Sequence, residues 1–189
     1  MKELYKIALE VQKFCLSNNW KFCFIGGVAV QRWGEPRITQ DIDLTIFTNF
    51  VKEEDFIAKL LAQYKTRIDN PVEFALMNRV VLLESKNKLG IDISLAGWPY
   101  EKELIERATY YSFFKNTSLL TCSAEDLIIM KAFANRPKDW GDVESIIIKQ
   151  AGKLDIDHIF KYLTGLANVK EEPEILDTLN NMLKKYTKS

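Results

Sequence analysis

FIGGVAVQRWGEPRITQDIDLTIF, residues 24–47, is the stretch that decides how this chain is read. It opens on the end of a short apolar run, Phe22 to Ile25, cut off by Gly26-Gly27, the pattern of a buried strand entering a tight turn. Val28 to Trp33 suits a short helix stopped by Gly34, and Glu35 to Gln40, with Pro36, is a polar loop. Asp41 to Phe47 then alternates: Ile42, Leu44 and Ile46 face one way, Asp41, Asp43 and Thr45 the other. A strand that ends in two glycines before a helix lets backbone amides approach an anion, because no Cβ obstructs them. The helix start adds partial positive charge. Taken alone, a Gly-Gly pair is more often just a turn.

The Asp41-Ile42-Asp43 pair carries more chemistry. Residues i and i+2 of a strand project to one face, roughly 6.5–7 Å apart along the chain. Two carboxylates placed so repel one another unless a cation sits between them. A pair of divalent ions about 3.5–4 Å apart would use both and bridge triphosphate oxygens. The plain alternative is a solvated strand face with two acids. A second alternating segment adds a third carboxylate. Val80 to Glu84 and Ile91 to Leu95 flank the polar connection SKNKLG and read as an antiparallel hairpin, with Asp92 and Ser94 opposite the apolar side of the second strand. Were the two Asp-bearing strands neighbours, Asp41, Asp43 and Asp92 would converge on one patch. Hard oxygen ligands without histidine or thiolate suit Mg²⁺ or Mn²⁺, and a third carboxylate can accept the proton of an attacking hydroxyl.

Elsewhere the patterning predicts an amphipathic helix over 2–18 and another over 52–64 behind the candidate caps Thr48 and Asn49. From Tyr100 onward nearly everything reads as helical: about 101–108, 124–135 behind the Ser123-x-x-Asp126 capping signal, 138–151, and two more in 155–186. The expected organisation is an α/β unit followed by a helical half, with the seam near residues 97–122. Charge is balanced, 26 basic against 26 acidic residues. No global basic surplus therefore points to nonspecific nucleic-acid binding, although a local basic groove stays open. The single histidine, His158, excludes a multi-histidine metal site. Cys15, Cys23 and Cys122 have no CxxC spacing and argue for a reduced compartment, against a disulfide framework or a zinc site. Charged residues spaced through the first fifteen positions and the lack of an 18-residue apolar run predict a cytoplasmic protein with no leader and no membrane span. Trp33, Trp98, Trp140 and Phe133 read as packing residues, and nothing in the spacing of Tyr110, Tyr111, Phe113 and Phe114 marks an acceptor pocket.

Taken together, residues 24–47 resemble the nucleotidyltransferase superfamily signature: an apolar residue, Gly-Gly, a spacer (here residues 28–40), then Asp-x-Asp between apolar residues. GIDISLAGWPYE, residues 90–101, resembles its third-carboxylate strand. SAEDLIIMKAFANRPKDWGDVESII, residues 123–147, is similar to the helical motif of the AbiEii-type toxin nucleotidyltransferases and their small relatives. The resemblance implies an α+β fold: a polymerase-β-like palm, a mixed sheet with packed helices, followed by a C-terminal helical bundle. Residues 1–97 would form the nucleotidyltransferase core and 98–189 the helical region completing the nucleotide cleft. It also implies transfer of a nucleoside monophosphate from an NTP donor, with Asp41, Asp43 and Asp92 as catalytic, Mg²⁺- or Mn²⁺-binding carboxylates. Gly26, Gly27, Arg37, Thr39 and Lys131 would meet the nucleotide. Asp139 or Asp142 matches a later family aspartate, or is a first-turn acid favoured by the helix dipole. The toxin-like reading makes the acceptor RNA or a tRNA end and adds an antitoxin partner. The alternatives are a small-molecule acceptor, as for antibiotic nucleotidyltransferases, and a non-catalytic nucleotide-binding module.

Overall fold

The computed structural model describes residues 2–186, which form a mixed α+β structure. The chain divides into two compact units, Met1–Val28 with Ile38–Cys122, and Ala29–Arg37 with Ser123–Ser189. The first unit is built on a seven-stranded mixed sheet of order β3-β4-β5-β2-β1-β7-β6. Its strands are β1 (Phe22–Phe24), β2 (Asp41–Phe47), β3 (Lys65–Thr66), β4 (Val80–Glu84), β5 (Gly90–Ala96), β6 (Thr109–Phe114) and β7 (Thr117–Thr121). β2 runs parallel to β5 and β1 parallel to β7; the other neighbours are antiparallel.

The alternation in β2 and β5 acts as the sequence predicts. Ile42, Leu44, Ile46, Ile91, Ile93 and Leu95 are buried in one core with Leu4, Ile7, Ala8 and Val11 of α1 (Lys2–Ser17) and with Ile57 and Leu60 of α3 (Glu53–Gln63). Asp43, Asp92 and Ser94 take the alternate positions and are only half-buried. Each apolar side chain so buried is worth about 1.5–3 kcal/mol, so the core holds these strands in register and the acids follow.

Several elements depart from expectation. α2 (Gly26–Trp33) starts on the glycines themselves. α3 is entered through Lys52 in the left-handed region, with no side-chain cap, rather than through Thr48 or Asn49. Thr48 instead donates to the Glu53 carboxylate and to Ala96 O. β3 and α4 (Pro71–Asn78) are too short to show a period. Residues 109–121, read as part of a helical half, form the β6–β7 hairpin after α5 (Pro99–Glu106). β6 is an edge strand exposed at nearly every residue, so TYYSFF shows no alternation for a sequence reading to detect. The second unit carries α6 (Ala124–Ala134), α7 (Pro137–Gln150), α8 (Ile156–Lys170) and α9 (Glu174–Tyr186). No described helix is long and apolar enough to cross a membrane.

One buried ion pair fastens the first unit. Glu53 is 8% exposed and receives Arg79 Nη1 at 2.7 Å and Nη2 at 2.8 Å. The same guanidinium donates to Leu95 O and lies 4.4 Å above the Phe50 ring. Burial alone would raise the Glu53 carboxyl, but the hydrogen bonds from Arg79 and Thr48 hold it below its ordinary value. Arg79→Met leaves this carboxylate without its guanidinium. The expected cost is about 3–5 kcal/mol in denaturant unfolding; a loss below about 1 kcal/mol would show that the pair does not fasten the sheet.

Candidate functional site

Parallel pairing sets Asp43 opposite Asp92 and Asp41 opposite Gly90. Directly paired residues project to the same sheet face, so Asp43 and Asp92 stand side by side and Asp41 lies one pleat along. The sheet thus brings the three aspartates together on the face away from the α1–α3 core. Burial, together with the negative charges of Asp43 and Asp41, lifts the Asp92 carboxyl above its ordinary value, against the opposing pull of Arg67. Arg67 Nη2 donates to Asp92 Oδ1. This arginine was missed in the sequence because it follows a two-residue strand and belongs to no motif.

The glycine turn packs on the same acids. Ile25 N–H donates to Asp43 O at 3.0 Å, which brings the turn against β2. Gly26 has φ +54°, and a Cβ there would lie 2.1 Å from Asp43 Oδ2. A Cβ on Gly27 would lie 2.3 Å from Thr39 Oγ1. Gly27 N–H donates to Asp43 Oδ2 at 3.3 Å, and Thr39 Oγ1 donates to Asp41 O at 3.3 Å. Close approach of an anion to the glycines is therefore realised here by the carboxylate of Asp43. Gly26, Gly27, Thr39, Asp41, Asp43 and Asp92 form one connected patch with Arg67.

The donor chemistry of this patch fits a hard divalent cation: three carboxylates on one face, no sulfur or imidazole, and a guanidinium already drawn in as counter-charge. Among the described residues, no three or more acidic, histidine or cysteine side chains are drawn together closely enough to hold a metal ion. Arg67 holds one oxygen of the Asp92 carboxylate.

Arg37 and Lys131 lie in the second unit, in a buried network of their own. Lys131 is 8% exposed, and its Nζ is 2.8 Å from both Asp139 Oδ1 and Asp142 Oδ2. Arg37 grips Asp142 with two bonds, Nε at 2.6 Å and Nη2 at 2.8 Å, and Arg136 Nε meets Asp139 at 2.5 Å. Asp139 and Asp142 project from adjacent turns of α7, three residues apart, which is why one lysine reaches both. Both are therefore anionic partners of Lys131, and Asp139 is also an acid in the first turn of α7. Burial raises each carboxyl, but hydrogen bonds from Arg136 and Lys131 to Asp139, and from Arg37 and Lys131 to Asp142, bring both below the ordinary range.

Residues 2–189 match the model of the family described as nucleotidyltransferase of unknown function (DUF6036), and the chain belongs to that family. The fold is similar to that of an antigenic nucleotidyltransferase-like protein from Paracoccidioides brasiliensis. That match has a TM-score of 0.54 and 19% identity, over 95% of this chain and 93% of that one. It is also similar to the antibiotic-resistance factor ANT(2'')-Ia in solution, with a TM-score of 0.55 and 15% identity over 95% and 98% of the two chains. A crystal structure of ANT(2'')-Ia in complex with adenylyl-2''-tobramycin matches with a TM-score of 0.50 and 15% identity, over 97% and 99%. No curated protein matches the sequence. These likenesses establish the fold, and the family makes the chain an enzyme of the nucleotidyltransferase class.

Two variants test the two clusters. Gly26→Ala imposes both a strained φ and a clash with Asp43, and is expected to cost about 1–3 kcal/mol; a melting temperature equal to wild type would contradict the packing described. Lys131→Met leaves two buried carboxylates short of a cation, with an expected loss of about 3–5 kcal/mol at neutral pH. A carboxylate whose folded value is depressed contributes stability that is complete above its unfolded value, about pH 4, and is lost as pH falls through the folded value. The denaturant midpoint of wild type should therefore hold down to about pH 4 and then fall. In Lys131→Met the fall below about pH 4 should be smaller than in wild type, because removing the cation raises the folded values toward the unfolded one.

Proposed function

We propose that this chain transfers a nucleoside monophosphate from an NTP to an acceptor hydroxyl or phosphate and releases pyrophosphate. The observation that carries this reading is the register of Asp43 with Asp92, one pleat from Asp41 and beside the Gly26-Gly27 turn. Asp41, Asp43 and Asp92 would hold Mg²⁺ or Mn²⁺, which would offset charge on the triphosphate oxygens. The acceptor oxygen forms a bond to the α-phosphorus as the bond from that phosphorus to the bridging oxygen breaks. The leaving pyrophosphate takes the electron pair. Where the acceptor is a hydroxyl, Asp92 receives its proton. Gly27 N–H keeps the Asp43 carboxylate turned toward the glycines, and Thr39 ties the loop to the start of β2. The turn would thereby position the carboxylates as well as present amides to phosphate. Arg37 and Lys131 enter as candidate phosphate-directed cations through the resemblance. Within their own unit they also serve Asp139 and Asp142.

For the acceptor, the balanced charge of the chain favours a small hydroxylated molecule over a nucleic acid. The likeness to ANT(2'')-Ia, whose complex contains adenylyl-2''-tobramycin, points the same way. The toxin-like alternative, with an RNA acceptor and an antitoxin, rests on the motif at residues 123–147. Balanced charge and the absence of a described membrane-crossing helix suit a soluble cytoplasmic enzyme.

Labelled NTPs incubated with Mg²⁺ and separate pools of aminoglycosides, other hydroxylated small molecules, tRNA and protein provide the test. Label is expected in a small-molecule pool, with pyrophosphate released in equal amount. Label in tRNA alone would replace the small-molecule reading with the toxin-like one. Asp41→Asn should lower turnover by about a hundredfold or more; turnover equal to wild type would remove the carboxylates from the reaction.

A further inference from the structure

Arg67 belongs to no motif, yet it is the cation at the carboxylate patch. Its backbone N–H donates to Leu82 O at 3.1 Å; Leu82 is paired with Asp92, and Asp92 with Asp43. Arg67, Leu82, Asp92 and Asp43 thus form one row across four neighbouring chain segments. Adjacent strands lie about 4.8 Å apart, so only a long side chain can pass Leu82 to reach Asp92. Arg67 spans that distance and donates from Nη2 to Asp92 Oδ1. Its other nitrogen, Nη1, lies 3.0 Å from the point a Gly90 Cβ would take, and Asp41 Oδ1 lies 2.3 Å from the same point. A glycine at position 90 is what allows the guanidinium and Asp41 to close over the start of β5. Lys65, another cation on β3, is paired with Glu84 at 2.9 Å.

A guanidinium stays charged at every working pH and forms two-pronged bonds equally well with carboxylate and with phosphate. We propose that Arg67 is a displaceable counter-cation. Without nucleotide it occupies the Asp92 oxygen that a divalent ion requires; when a metal–nucleoside triphosphate arrives, the guanidinium leaves Asp92 for the polyphosphate. This rests on the nucleotidyltransferase reading of the patch. A metal ion alone must expel a cation that has no new partner. A metal–triphosphate brings that partner with it, so metal and nucleotide bind cooperatively. Arg67 then guards the acidic patch against free metal and becomes a triphosphate contact in the loaded enzyme.

The test measures Mn²⁺ alone, and the Mn²⁺ complexes of the four ribonucleoside triphosphates, against wild type, Arg67→Gln and Arg67→Lys. Free Mn²⁺ is followed by electron paramagnetic resonance and nucleotide by calorimetry. Arg67→Gln is expected to bind Mn²⁺ alone about tenfold or more tighter than wild type, and the preferred Mn–triphosphate about tenfold or more weaker, within the usual range of coupling between sites. Arg67→Lys keeps the charge without the fork and should bind Mn²⁺ alone about threefold tighter than wild type. It carries the test if circular dichroism shows Arg67→Gln unfolded. Weaker binding of both ligands by the variants would make Arg67 a fixed brace for Asp92. Unchanged Mn²⁺ affinity would make it a bystander. Either result overturns the proposal while wild-type binding of a Mn–triphosphate leaves the enzyme reading intact. Binding of neither ligand by any of the three proteins overturns both.

Discussion

The in-register parallel pairing of β2 with β5 is the constraint on which the chemistry of this molecule depends. It puts Asp43 next to Asp92, and the two strands are held there by Ile42, Leu44, Ile91 and Ile93 buried on the opposite face. A slip of one residue would turn the acids into the core and the isoleucines into solvent, so apolar burial specifies the spacing of the carboxylates. Parallel strands also need a long crossover rather than a tight turn. Here the crossover runs through α3, β3, α4 and β4 before β5 begins, and it delivers Arg67 to the row of acids that the pairing creates. Acids and counter-cation are thus products of one topological requirement.

A common electrostatic rule governs both units. Adjacent carboxylates persist where a cation or a backbone donor meets them. In the first unit Asp43 faces Gly27 N–H and Asp92 faces Arg67. In the second, Asp139 and Asp142 face Lys131, Arg37 and Arg136. The clusters differ in access. Asp139 and Asp142 are almost wholly buried, at 1% and 4% exposure, and their bonds fasten helices. The Asp92 and Arg67 side chains keep about a third of their surface open, at 32% and 31%. The open cluster suits exchange of one cation for another, the closed one permanence.

The sequence was legible where burial imposed a period. The limits of β2 follow from alternation, those of β4 from an apolar run ending at a polar connection, and α1 from its apolar stripe. The glycine turn was legible as a turn, but its partner was not: only the fold shows that Gly26 is a glycine because Asp43 lies against it. β6 escaped because an edge strand exposed on both faces has no alternation, and β3 because two residues define no period. The network around Lys131 joins residues up to 105 apart in the chain, Arg37 to Asp142, beyond the reach of any local pattern. Arg67 was hidden for the same reason, since its meaning lies in a row across strands.

We propose that Asp41, Asp43 and Asp92 together form the divalent-cation site of a nucleotide-handling enzyme. The most direct measurement is paramagnetic broadening of the side-chain carboxyl signals of ¹³C-aspartate-labelled protein, titrated with substoichiometric Mn²⁺ in the presence of NTP. The carboxyl signals of Asp41, Asp43 and Asp92 should broaden first and together, with Asp139 and Asp142 unaffected at that point. Sharp signals from the three, with broadening elsewhere in the molecule, would contradict the account.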